Sequence, residues 1–250
     1  MLAFILAALT TVVPAPVAPV PVDREPYHRT LFQNNFVRVL DVQIPPGQIT
    51  KYHIHASPLI TVFLLDARTS AQILGEAPGP VSSQGAVPNL GDNWNQSLPY
   101  THRVKNVGSV SSHGILAEWL APAGPQCVSL GPIPGYSLAR EGKFGRAYKV
   151  QLRPGESTPR HSHSCPGLTV QGTAGRLRNM GTPPAAQGGS GAGHWLWRNA
   201  GHQHVLSTTA RRQSLCSRQI GVRLRNHAGK HEKTAERFCP AAISSGKSRA

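Results

Sequence analysis

Gly47-Gln-Ile-Thr-Lys-Tyr-His53-Ile-His55 and Gly155-Glu-Ser-Thr-Pro-Arg-His161-Ser-His163 carry one pattern: a glycine, five residues, then H-x-H. Each stretch follows a proline turn, Pro45-Pro46-Gly47 in one and Pro154-Gly155 in the other. Each turn closes a run of strand-like alternation, Phe36 to Ile44 and Phe144 to Leu152. A motif that recurs together with its flanking elements marks an internal duplication. Side chains on a strand alternate between faces, so histidines at i and i+2 point the same way and can grip one ion through two imidazoles.

A site of this kind needs a third ligand from elsewhere. Gly91 is followed eleven residues later by His102, and Gly193 eleven residues later by His204. The matched offsets nominate His53, His55 and His102 as one metal-binding triplet and His161, His163 and His204 as a second. His202 competes with His204, since the pair is also spaced i,i+2, and only the glycine offset selects His204.

This arrangement resembles the cupin family, whose first motif is G(x)5HxH(x)3-4E(x)6G and whose second contains P-x-G-x-x-H-x-x-x-N. The resemblance covers Tyr27 to Leu120 and Gly142 to Arg225. His102-Arg-Val-Lys-Asn106 fits the H(x)3N tail, whereas Thr208 stands where the second half should carry Asn. The glutamate that follows the H-x-H pair is absent from both halves: Leu59 and Ile60 occupy its place in the first, Gly167 and Leu168 in the second. Three-histidine sites with open positions are chemically workable. Cys165, two residues past His163 on the same strand face, is a candidate thiolate replacement for the missing anion, against the plainer reading of a packed cysteine.

The resemblance implies an all-β chain of two tandem jelly-roll barrels with little helix, at 27–120 and 142–225, joined by a linker at 121–141. It implies a divalent metal cofactor, with Fe, Mn, Ni, Cu and Zn all suited to imidazole. It also implies dioxygenase or isomerase chemistry on a small organic molecule. Two alternatives stay open: a non-catalytic cupin that binds a small ligand or a metal, and a degenerate cupin without metal. A homo-oligomer is compatible with either.

Composition agrees with the all-β reading. The chain's 25 glycines and 22 prolines among 250 residues mark many short turns. That length suffices for two domains, each with a core. Strands are expected at 36–44, 49–55, 59–66, 71–74, 100–105 and 113–120 in the first half. The second half repeats the plan at 144–152, 158–163, 168–170, 175–178, 194–197, 202–207 and 219–224. Loops at 75–93 and 181–193, rich in Gly, Pro and small residues, separate them, the first expected at the barrel mouth. Tyr52, Ile60, Val62, Phe63 and Trp119 are expected to line the first pocket. Trp94, Trp195 and Trp197 read as core or pocket-wall aromatics. His28, His113, His227 and His231 have no partner spacing and read as solvent-facing or structural, and Asp92 reads as a turn residue.

The N-terminus opens with an apolar run from Leu2 to Val13, too short for a membrane span and suited to a secretory signal. No Lys or Arg precedes that run, so an uncleaved anchor on a proline-rich stalk reaching Pro26 is the competing expectation. A secreted, periplasmic or membrane-tethered protein follows. The net charge of +15 sits almost wholly in residues 126–250. These basic residues are scattered without an aromatic-interleaved patch, so the sequence points to no specific nucleic acid and leaves only weak contact with anionic surfaces. Residues 226–250 read as a basic disordered tail. Four cysteines, Cys127, Cys165, Cys216 and Cys239, allow three pairings in an exported chain, Cys165 with Cys216 among them.

Overall fold

The computed structural model describes residues 18–121, 131–142, 144–189 and 191–209. The leader up to residue 17, residues 122–130 of the linker, the strand expected at 219–224, the tail, and Cys127, Cys216, Cys239, His227 and His231 lie outside the described residues. The described residues belong to one compact unit.

In the first half the strands are β1 (Val20–Pro21), β2 (His28–Gln33), β3 (Val37–Ile44), β4 (His53–His55), β5 (Leu59–Phe63), β6 (Arg68–Ile73), β7 (Ser82–Ser83), β8 (Asn89–Asp92), β9 (Tyr100–Asn106) and β10 (Ser112–Trp119). From β3 to β10 the pairing is that of a long hairpin rolled up. The first strand pairs the eighth (β3 with β10), the second the seventh (β4 with β9), the third the sixth (β5 with β8) and the fourth the fifth (β6 with β7), all antiparallel. Cross-pairs β5–β10 and β6–β9 close two five-stranded sheets, β2-β3-β10-β5-β8 and β1-β4-β9-β6-β7. This strand order is a jelly roll. Helix among the described residues is one 3-10 turn, Val22–Arg24, and none is long and apolar enough to cross a membrane.

The second half contains β11 (Tyr136–Gly142), β12 (Gly145–Val150), β13 (Gly167–Val170), β14 (Leu177–Gly181), β15 (Ala186–Gly188), β16 (Trp195–Arg198) and β17 (His204–Thr208). Its pairings copy the first half: β13 with β16 matches β5 with β8, and β14 with β17 matches β6 with β9. The counterpart of β4 is reduced to isolated bridges, Ser157 with Ser207 and His161 with His204.

Both glycine turns take the left-handed conformation that only glycine adopts without strain, φ +76 at Gly47 and +86 at Gly155. The residue closing each H(x)3 tail anchors the turn. Buried Asn106 donates through Nδ2 to the carbonyls of Ile44 and Val110, both at 2.8 Å, and its backbone carbonyl accepts from Gly47 N–H. Thr208 does the same work in the second half. Its hydroxyl donates to Arg153 O at 2.6 Å and accepts from Gly155 N–H at 3.1 Å. The departure from Asn at that position therefore keeps the function of the residue.

Four expectations are corrected. Val20 and Pro21 pair in parallel with β4, and Val22 is buried in the first barrel, so these residues are built into the fold instead of forming a stalk. The stretch 75–93 contains β7 and β8. Its β8 sequence, Asn-Leu-Gly-Asp, lacks strand-forming residues, and the strand is held by antiparallel pairing with β5, with Phe63 lying over Gly91, where a Cβ would come within 2.7 Å of the ring. The linker contains β11, a mostly exposed arm of the β11–β12 hairpin with no alternation to reveal it. The 181–193 loop likewise carries β15, which pairs with β16.

The apolar residues divide between two cores. Val22, Leu40, Leu59 and Leu116 fill the first barrel. Val37, Val39, Ile60, Ile115 and Ala117 face the other way and meet Trp195 and Trp197 of the second half, with Val62, Trp119, Leu168 and Val170 packed against them. Ile60, Val62 and Trp119 therefore line the seam between the halves and not the first pocket. A sheet covered on both faces reads as continuous apolar sequence, which conceals which residues face inward.

Candidate metal centre

Antiparallel pairing places His53 directly opposite His102 on β9, while His55 lies on the same face two residues along β4. The three rings close on one another, with centroid separations of 4.6 to 5.0 Å. Nε2 of His55 and Nε2 of His102 approach to 3.1 Å. One ligand nitrogen from each of the three lies within 4.8 Å of the others. His53 Nδ1 stands 3.0 Å from the Lys51 carbonyl, which can only accept, so Nδ1 carries the proton and Nε2 keeps its lone pair. Burial, reinforced by the neighbouring histidines, pushes His53 down to about 3 and His102 down to about 2, so both rings are neutral at physiological pH.

The residues around this triplet include groups that sequence spacing did not reveal. Glu118 on β10 is 1% exposed and points into the first barrel. Its Oε1 is 3.7 Å from His55 Nδ1, and its Oε2 accepts from Arg38 Nη1 at 3.0 Å. Glu118 is the cross-strand partner of Leu59, the position from which the motif glutamate is missing. His28, expected to be solvent-facing or structural, is buried with its ring centroid 4.7 Å from that of His53 and its Nδ1 2.8 Å from Glu25 Oε2. Burial would raise Glu25, but His28 and the N–H groups of Tyr27 and Lys51 outweigh it and hold the carboxyl below its usual range. Tyr100 stacks on His55 at 5.0 Å, and burial pushes its phenol up to about 12. His113 is structural, bound to Asp41 at 2.9 Å.

The second triplet also assembles, with His161 opposite His204 and one ligand nitrogen from each of His161, His163 and His204 within 4.8 Å of the others. His202 is not part of it. Its surroundings differ from those of the first. His161 Nδ1 donates to Pro159 O at 2.8 Å, so the hydroxyl of Tyr136, 3.0 Å from Nε2, donates to the remaining lone pair. Burial, then His161 and then Arg198, lowers His163 to about 4; burial and then Arg198 lower His204 to about 4. Cys165 is disulfide-bonded and so is not the thiolate ligand considered from its spacing.

Trp94, Trp195 and Trp197 are core residues, as expected. A cavity of about 920 Å³, lined by Asp92, Trp94, Arg140 and Phe144 among others, includes none of the six histidines. Asp92 accepts from the Trp94 N–H, as a turn residue does, and pairs with Arg140 at 3.6 Å.

No family model and no curated relative matches the chain. Among solved structures it is similar to AerE from Microcystis aeruginosa, at 12% identity and a TM-score of 0.45 over 76% of this chain and 93% of that one. It is similar to YhhW from Escherichia coli at 14% identity and a TM-score of 0.41, over 73% and 85%. A cupin domain from Bordetella pertussis Tohama I matches 42% of this chain along its whole length, at 16% identity and a TM-score of 0.34.

Proposed function

We propose that this chain, whose fold is that of the cupins, holds one divalent metal ion in its first barrel and presents it to a small organic ligand. The observation that carries the reading is the convergence of His53, His55 and His102 on a buried point, with His53 Nε2 free and ring nitrogens of His55 and His102 3.1 Å apart. Neutral imidazoles held together in a dry interior suit a borderline transition metal such as Fe, Mn, Ni, Cu or Zn. Glu118 behind His55 supplies the negative charge that the motif lacks.

Bound there, the ion would supply Lewis-acid or redox chemistry at coordination positions left open by three protein ligands. The chain's own groups do the rest. Leu40, Leu59 and Leu116 keep the interior apolar, and Tyr100 walls one side of the triplet. Dioxygenase or isomerase chemistry on a small organic molecule is the activity we propose to test first. Elemental analysis of the wild type beside His53→Ala should find about one equivalent of metal that the substitution removes. A metal-free wild type would leave the degenerate alternative standing. With metal found, oxygen uptake and turnover of candidate substrates separate an enzyme from a binder.

We further propose that the protein works outside the cytoplasm. The disulfide at Cys165 supports this, because such bonds persist in oxidising compartments, and so does the apolar N-terminal run. Fractionation of the producing cell, with the protein found in the cytosol, would defeat it.

A further inference from the structure

Arg198 ends β16 as the cross-strand partner of Gly167, the position from which the second motif glutamate is missing. Trp195 and Trp197 of the same strand pack into the seam between the halves, so alternation turns Leu196 and Arg198 to the opposite, inner face. Arg198 is 4% exposed. It donates through Nη1 to Thr169 Oγ1 at 3.0 Å and through Nη2 to Asn179 Oδ1 at 2.7 Å, both neutral acceptors. Its Nε is buried and has no acceptor. No carboxylate pairs with it among the described residues.

A buried charge without a counter-charge is costly to fold around. Gly167, opposite it, is exposed, and a Cβ there would meet nothing within 4 Å, so this end of the pair is open to a ligand entering from solvent. The two barrels thus treat the vacated glutamate position in opposite ways: a carboxylate, Glu118, stands beside it in the first and a cation in the second. The cation disfavours a metal ion in the second triplet, and Tyr136 already occupies the His161 lone pair that such an ion would need.

We infer that the interior of the second barrel is a binding site for a small carboxylate anion, with Arg198 as its charge partner and Tyr136, His163 and His204 beside it. A planar guanidinium with an unused Nε donor matches a carboxylate in shape and charge. One guanidinium balances the single negative charge of a carboxylate, whereas inorganic phosphate near pH 7 carries about one and a half. This site is separate from the metal centre of the first barrel, and its occupation does not depend on that centre.

The test is ligand-observed NMR on chelator-treated, full-length protein with propionate, its neutral twin propionamide, and inorganic phosphate at matched ionic strength. Propionate should bind and propionamide should not. Arg198→Met should weaken propionate binding roughly tenfold or more, and Arg198→Lys, which keeps the charge and loses the planar fork, roughly threefold. His53→Ala should leave it unchanged. Arg198→Met should melt no lower than the wild type, because it removes an uncompensated buried charge, and Arg198→Lys keeps the test decisive should that variant fail to fold. Equal signals from propionate and propionamide, unweakened binding in the foldable variants, loss in His53→Ala, or binding only after metal is restored would each overturn the inference. Phosphate binding tighter than propionate would overturn the carboxylate assignment.

Discussion

Glu118 and Leu59 face each other across the β10–β5 pair, so the first barrel carries its carboxylate on the strand next to the one where the motif would place it. From β10 the carboxylate reaches the far side of His55, at Nδ1, and Arg38 holds it there. At 3.7 Å the carboxylate is beyond hydrogen-bond reach of Nδ1, and it acts on the centre as a buried negative charge beside His55 without itself touching the ion. Glu118→Gln keeps the size and removes the charge. Its metal affinity, measured by competition against a chelator, should fall about 10- to 100-fold while one equivalent still binds at saturation. An unchanged affinity would remove Glu118 from the centre.

Acid should destabilise the metal-free protein before it touches ordinary carboxylates. His53 and His102 ionise near 6.5 when unfolded but at about 3 and about 2 when folded, because burial disfavours the cation. The unfolded chain therefore binds more protons below 6.5. Stability is fully present above that value and is lost progressively as pH falls toward 3. Denaturation midpoints of the apo protein between pH 8 and 4 should decline below 6.5, and the decline should shrink in His102→Gln. A flat profile down to pH 4 would mean that the rings are hydrated.

The motif tail makes a prediction about folding. Asn106 is fully buried and its side chain joins Ile44, Val110 and Gly108. Asn106→Ala removes the side-chain donor from the Ile44 and Val110 carbonyls, at roughly 1–3 kcal/mol for each buried group left unsatisfied, softened wherever water enters, while Gly108 N–H keeps its bond to Arg68 O. Thr208→Val, at the half-buried end of β17, should cost about 1 kcal/mol, because the turn it anchors is exposed. Urea unfolding of the two variants compares them directly, and equal losses would show that the turns are anchored differently from this account.

Much of this fold was legible because strand geometry converts spacing into position. An i,i+2 histidine pair after a left-handed glycine turn can point only to one face, and the glycine offsets located the strand opposite, so both triplets could be read from residue numbers. What escaped has a common cause. Glu118, His28 and Arg198 reach the interiors through pairings with strands distant in sequence, and no local pattern encodes a cross-strand partner. β8 and β11 escaped because one is held by pairing with β5 and the other buries no face. The wrong set of pocket-lining residues came from the seam, where both faces of β3, β5 and β10 are apolar and alternation carries no signal.

That seam makes the last prediction. Trp195 and Trp197 from β16 insert against Val37, Val39, Ile60, Ile115 and Ala117 of the first barrel, so each half completes the other's core. Trp197 is 3% exposed, and its removal leaves a cavity that neither sheet can collapse to fill. Trp197→Ala should cost about 3–5 kcal/mol. Because the core is shared, the loss should appear in both halves at once, as a single unfolding transition shifted to lower temperature and reported equally by metal release from the first barrel and by far-UV circular dichroism. Two transitions, with metal retained through the first, would mean that the barrels fold independently and that the seam is only a contact.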